Sequence, residues 1–271
     1  MIRSTQKNNL WVFDIDGVLT DPISKKVDNP AIFSFLNKRL SNNIPVLLNT
    51  GRSSDWVIKN ICKYIDKKLS KKMFFCVCEM GAVILKTDQD GNYTSKITEN
   101  NIIPIQLKNT VQSIVDCIYH DSMFVDQSKK AILTIEMMKG FPLEKYRLEQ
   151  SKLKATIDII LKNYYPSIHI RPSSSTIAID IKPQNFDKKL GAFKIYKWLN
   201  EHHFILKNQL KIICFGDSVS DMQMSDFFSE KGLMTEFVFV GESKHYLNAL
   251  YPVFTTSKKY TDGALEYLQC I

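Results

Sequence analysis

The stretch "LWVFDIDGVLTD", Leu10–Asp21, decides the architecture. Leu10, Trp11, Val12 and Phe13 form an apolar run that ends on a carboxylate, Asp14, and Ile15, Asp16 and Gly17 follow. A run so short and so apolar fits a strand buried on both faces that feeds a glycine-containing turn. Burial on both faces is what a parallel sheet covered by helices demands.

Outward from this segment the same design recurs. "IPVLLNT" (Ile44–Thr50) breaks at Gly51, "MFFCVCE" covers Met73–Glu79, "KIICFGD" runs to Asp217, and "EFVFVG" gives one more strand. Helical spacing fills the intervals. Ile32, Phe35, Leu36 and Leu40 follow Asn29 and Pro30; Val57, Ile58, Ile61 and Ile65 follow a cap at Ser53 or Ser54. Asp187 caps a helix bearing Ala192, Ile195 and Leu199, and Ala264–Leu268 suggests a terminal helix. Alternating buried strands and helices predict an α/β fold with a parallel sheet.

The pattern changes after Gly81. "GAVILKTDQDGNYTSK" reads as a hairpin turning at Asp90 and Gly91, before a helix around Val111–Ile118 and a strand over Ala131–Met137. A long helix over Glu144–Leu161 and two strands, "SIHIR" from Ser167 and "TIAIDI" from Thr176, complete the insert. The expected organisation is a core of residues 1–83 and 185–271 with an inserted α+β domain over 84–184.

Composition sets the bounds. With 271 residues, 44% hydrophobic and 24% charged, the chain can bury a sizeable core. The net charge of +8 suits an anionic partner, small phosphate esters included. Its positive residues are scattered, the densest run being Lys67, Lys68, Lys71 and Lys72, and no nucleic-acid-binding signature accompanies them. Nucleic acid is therefore not the expected partner. No apolar stretch of about 18 residues predicts a membrane span. The six cysteines make no disulfide or metal framework, and no signal-peptide pattern opens the sequence, so a reduced, cytoplasmic setting is expected. Nothing in the sequence speaks to oligomeric state.

Asp14, Asp16, Thr50 and Asp217 all fall at predicted carboxyl ends of strands, which converge on one crevice in a parallel sheet. Several carboxylates gathered there repel one another unless a cation neutralises them. Oxygen donors without a cysteine or histidine cluster favour magnesium. Thr50 offers a hydroxyl, and the Gly51 N–H has room to meet a phosphoryl oxygen.

These residues carry a resemblance. "DIDGVLTD" at 14–21, "NTGRS" at 49–53, a lysine at 188 or 189 before a helix, and "GDSVSDMQM" at 216–224 resemble the haloacid dehalogenase-like phosphatase superfamily in string, order and separation. Insertion between the second and third motifs is similar to the class with a large α+β cap, which includes Cof-like, trehalose-phosphate and sucrose-phosphate phosphatases. "CEMGAV" at 78–83 is similar to the segment by which these enter the cap, with Glu79 placed to hold that connection and Met80 where Asn or His is common.

The resemblance implies a Rossmann-like core and magnesium-dependent hydrolysis of small phosphomonoesters, sugar or polyol phosphates above all, through an aspartyl-phosphate. It implies Asp14 as nucleophile and Asp16 as general acid and base, with Arg52 approaching substrate or bridging core and cap. Asp217 would join Asp14 and the Asp16 carbonyl on the metal, with Asp221 direct or through water. Ser220 stands where the family commonly has Asn. The phosphate-facing lysine is Lys188 if Asp187 is the cap; Lys189 would put Ala192 and Phe193 at similar offsets. His169, Arg171 and Lys182 are the insert's candidates for substrate contact, each equally readable as a surface residue. A sugar phosphomutase of the same superfamily and a catalytically silent metabolite- or partner-binding protein are the alternatives.

Overall fold

The computed structural model describes residues 9–22, 24–100, 102–205, 210–241 and 249–270. In chain order the elements begin with β1 (Asn9–Phe13), α1 (Ala31–Ser41), β2 (Val46–Asn49), α2 (Ser54–Asn60), β3 (Phe74–Cys78), β4 (Val83–Thr87) and β5 (Tyr93–Ile97). Next come α3 (Ile105–Ile114), β6 (Met123–Val125), β7 (Leu133–Met137), α4 (Leu143–Tyr164), β8 (Ile170–Ser174) and β9 (Ala178–Pro183). The chain then returns with α5 (Lys188–Glu201), β10 (Lys211–Gly216), α6 (Met222–Glu230), β11 (Met234–Phe239), β12 (Val253–Thr255) and α7 (Tyr260–Cys270).

Local chemistry starts the helices. The Asn29 side chain accepts from the Ala31 N–H at 3.0 Å, Ser53 Oγ from the Trp56 N–H at 3.2 Å, and Asp187 Oδ1 from the Leu190 N–H at 2.7 Å. Helix α2 stops at Asn60, short of the expected Ile65, and the chain tightens into a 3₁₀ turn over Cys62–Tyr64, whose end Asn37 holds: its amide donates to the Tyr64 carbonyl and its oxygen accepts from the Asp66 N–H.

Among the described residues, eight strands form one sheet in the order β12-β11-β10-β1-β2-β3-β4-β5. Every pair from β12 to β3 is parallel. The chain steps outward from β1 through β2 and β3 on one side, then through β10, β11 and β12 on the other. This makes β1 and β10 a topological switch point. Helices cover both faces. On one, α5 and α6 bury Ala192, Ile195, Trp198 and Phe228 against Leu10, Val12, Leu47, Phe75 and Ile212. Trp198 stacks on Phe75 with ring centroids 5.0 Å apart. On the other, Arg39 of α1 lies over Trp11 and Tyr267 of α7 meets Phe215 edge-on.

A second sheet, β6-β7-β9-β8, is antiparallel throughout. One face packs Leu133, Ile135, Ile179 and Ile181 against Val111, Tyr146, Leu153 and Ile157 of the two helices. Alternation puts Thr134, Glu136, Asp180, Arg171 and Ser173 on the opposite face, as a sheet with one apolar side requires.

The described residues divide into two compact units, one up to Lys96 and from Asp187 onward, the other Ile97–Phe186. The first division falls thirteen residues later than the 83/84 expected, and the second two later than 184/185, at 186/187. The hairpin is the reason: β4 pairs antiparallel with β3, from Cys78 opposite Val83 to Phe75 opposite Lys86, and so extends the large sheet. No helix among the described residues is long and apolar enough to cross a membrane.

Replacing Trp198 by alanine removes the largest ring between α5 and β3. Urea unfolding followed by circular dichroism should show a loss of about 3–5 kcal/mol.

Candidate active site

Three strand ends of the large sheet build the site. At the end of β1, the Asp14 N–H donates to the Phe215 carbonyl at 2.9 Å, and the chain then folds into a tight turn whose Leu19 and Thr20 N–H groups meet the Ile15 carbonyl. Gly17 in that turn has φ +79°, and a Cβ there would stand 1.9 Å from Asp217 Oδ2. Only glycine lets the turn pass this carboxylate. At the end of β2, Thr50 is fully buried and its Oγ1 accepts from the Arg52 N–H at 3.1 Å, which leaves the hydroxyl proton to be donated. Past β10, Ser218 and Asp221 form a capping box: Asp221 Oδ2 accepts from Ser218 Oγ at 2.6 Å and from its N–H at 3.1 Å.

Lys188, the first residue of α5, joins these ends. Its Nζ lies 2.6 Å from Asp14 Oδ1 and 2.7 Å from Asp221 Oδ1, and donates to the Asn49 carbonyl at 2.9 Å. The lysine is 4% exposed. Burial alone would favour the neutral amine, but the charges and hydrogen bonds of Asp14 and Asp221 outweigh it and lift the ammonium above the usual lysine range. Lys189, the other candidate, faces outward and pairs with Glu230 at 2.8 Å.

Asp14, Asp217 and Asp221 each bring a carboxylate oxygen to within 4.8 Å of the others. Burial pushes Asp14 well above the carboxylate range, opposed by Lys188 and reinforced by Asp221, Asp16 and Asp217. Asp217 is pushed up to about 7, by burial first and then by Asp221. Hard oxygen donors that repel one another at this spacing suit a small divalent cation.

No protein-family model and no curated protein matches the chain. Solved structures do. The C-terminal domain of Candida albicans trehalose-6-phosphate phosphatase aligns at TM-score 0.67 and 16% identity over 97% of this chain and 92% of that one. The C-terminal domain of the Candida albicans trehalose synthase regulatory protein aligns at 0.62 and 11%, over 93% and 90%. A haloacid dehalogenase-like hydrolase from Bacteroides thetaiotaomicron aligns at 0.61 and 15%, over 97% and 98%.

The chain shares the fold of these solved structures.

The Asp16 carboxylate is turned to Arg52, which grips it with Nε at 2.8 Å from Oδ2 and Nη2 at 2.7 Å from Oδ1. The guanidinium in turn sits 4.7 Å over the Trp56 ring. The Asp16 side chain thus pairs with Arg52 instead of joining the three-carboxylate group, yet its charge still reaches Asp14 and Asp217. Glu79 is buried, with its N–H donating to the Arg52 carbonyl, and the Met80 N–H donates to that of Thr50. Both adopt left-handed backbone, φ 50° and 54°, a conformation that costs non-glycine residues about 1–3 kcal/mol each. "CEMGAV" thereby fastens the Thr50–Arg52 loop to the end of β3. Arg171 and Lys182 lie opposite each other on β8 and β9 of the second unit, and His169 precedes β8 there. Trp56 escaped sequence reasoning, although its position one helical turn after Arg52 was a usable signal.

The raised proton affinities of Asp14 and Asp217 have a consequence for stability. A cation-free folded chain keeps a proton on Asp217 up to about pH 7, whereas the unfolded chain releases it near the ordinary value of 3.8. The folded state binds more protons in that window, so this group's contribution to stability falls as pH rises through it. A divalent cation competes with the same proton. Thermal melts should show a larger cation-induced rise in Tm at about pH 8 than at about pH 5.5.

Proposed function

We propose that the chain is a magnesium-dependent phosphatase of small phosphomonoesters, sugar or polyol phosphates first, acting through an aspartyl-phosphate on Asp14. The observation that carries this reading is the setting of Asp14: a strand-end carboxylate 2.6 Å from a buried lysine and grouped with Asp217 and Asp221. A carboxylate so placed can approach an anionic phosphate because fixed positive charge accompanies it.

Magnesium fits the donor set, held by Asp14, Asp217 and Asp221 with the Asp16 carbonyl. When bound it supplies the charge that screens the carboxylates and the phosphoryl oxygens. The chain's own groups do the rest. Asp14 attacks phosphorus, and the bond to the ester oxygen breaks as that oxygen takes a proton from Asp16. Asp16 then accepts a proton from water, which attacks phosphorus and frees Asp14 with release of inorganic phosphate. Arg52 holds both Asp16 oxygens, so one of them must leave the guanidinium to carry the proton in each step. The Thr50 hydroxyl and the Gly51 N–H receive a phosphoryl oxygen, and Lys188 steadies both Asp14 and the transferring group.

A second reading, a catalytically silent member, is favoured by the likeness to the regulatory protein's C-terminal domain. Phosphate release from a panel of sugar and polyol phosphates separates the two: magnesium-dependent turnover supports the enzyme, and binding without turnover supports the silent member. An isomeric phosphate as product would instead indicate a mutase.

On the preferred substrate, Asp14→Asn should lower kcat by roughly a thousandfold with an unchanged circular dichroism spectrum. In parallel assays Lys188→Ala should cost roughly a hundredfold and Lys189→Ala far less.

A further inference from the structure

We propose that Asn49 is a positioning residue for Lys188, an inference that rests on the phosphatase reading above. Asn49 is the last residue of β2 and is fully buried, a polar side chain closing an otherwise apolar strand. It makes a reciprocal pair with the start of α5. Its Nδ2 donates to the Lys188 carbonyl at 2.9 Å, and its own carbonyl accepts from Lys188 Nζ at 2.9 Å. The helix start and the ammonium are thereby tied to one residue of the neighbouring strand.

Backbone accounting does not call for this bond. A carbonyl in the first turn of a helix already has a partner within the helix, so the Asn49 amide adds a second donor to it. Meanwhile Asn49 Oδ1 is buried with no hydrogen-bond partner among the described residues. An apolar side chain of similar shape would pack there without leaving that oxygen unpaired. The asparagine thus carries a stability penalty at a position one residue before Thr50, and what its side chain holds is the main-chain carbonyl of Lys188, the residue whose ammonium lies beside Asp14. Helix α5 accommodates it at Gly191, where a Cβ would stand 2.0 Å from Asn49 Oδ1. Asn49 and Gly191 form one latch that sets how deeply the first turn of α5 approaches the end of β2.

Lys188 must meet Asp14 and Asp221 simultaneously, so a shift of the first turn by a fraction of its contact distance loses one of them. Transition-state stabilisation is sensitive to displacements of this size.

The experiment compares wild type with Asn49→Leu, using p-nitrophenyl phosphate with magnesium for turnover. A proton–nitrogen correlation spectrum of lysine-labelled protein reads the Lys188 ammonium, assigned by its absence from the Lys188→Arg variant. The expected result is an unchanged or higher Tm, kcat lower by about tenfold or more with KM within about threefold, and loss of the ammonium resonance to fast exchange. A retained resonance, or kcat within about twofold of wild type, overturns the proposal. If Asn49→Leu does not fold, Asn49→Ala is judged on the same two criteria. If wild type itself fails to turn over the ester, the phosphatase reading is what has failed on that probe, and the resonance alone decides: its loss supports the latch, and its retention refutes it.

Discussion

The site depends on one buried cation of the chain itself. Asp14, Asp217 and Asp221 converge in a partly desolvated crevice, where burial first and neighbouring carboxylates second raise the proton affinities of Asp14 and Asp217. Lys188 offsets two of the three by standing within 2.7 Å of Asp14 and Asp221. Such a group is stable only while all its members are present. Removing one partner from a buried ion pair typically costs about 3–5 kcal/mol, because the remaining charge loses its compensation. Asp217 is the member of the three without an ion pair to Lys188, and together the three could hold a divalent cation.

The sheet determines where these charges meet. β1 lies between β2 and β10, and all three are parallel, so their carboxyl ends open on the same side. Each contributes a different kind of group: a carboxylate from β1, a buried hydroxyl from the end of β2, a glycine and carboxylate from β10. The turns beyond them are held by backbone bonds and by steric fits that tolerate no Cβ at Gly17. Strain is concentrated nearby, in the consecutive left-handed residues Glu79 and Met80. Their N–H groups bind the carbonyls of Arg52 and Thr50, so the strained segment braces the loop that would receive phosphate.

Much of this was legible in the chain. Apolar runs of a few residues ending on Asp14, Thr50 and Asp217 announced buried parallel strands, and the change of pattern after Gly81 announced an insert. The hairpin at β4 and β5 was legible as a hairpin but not as part of the large sheet. Period-two alternation shows which residues face a core without showing which sheet supplies that core. Short β6 and β12 carried too few residues for any period to emerge.

Asp14, Asp16, Thr50 and Asp217 at strand ends, and a cap at Asp187, follow from local sequence because strand ends and helix starts are local events, whereas Asp221 came only with the resemblance. The cap at Asp187 already favours Lys188 over Lys189, but it does not say which groups the ammonium meets. Adjacent helix residues point about 100° apart, and only the packing of α5 against β2 turns Lys188 inward and leaves Lys189 to Glu230. The same holds for Asp16, whose partner Arg52 lies 36 residues away. Sequence spacing determined which elements exist and which ends carry charge. Tertiary structure alone decided which charges touch, because contact between distant elements depends on distances that close only when the core packs.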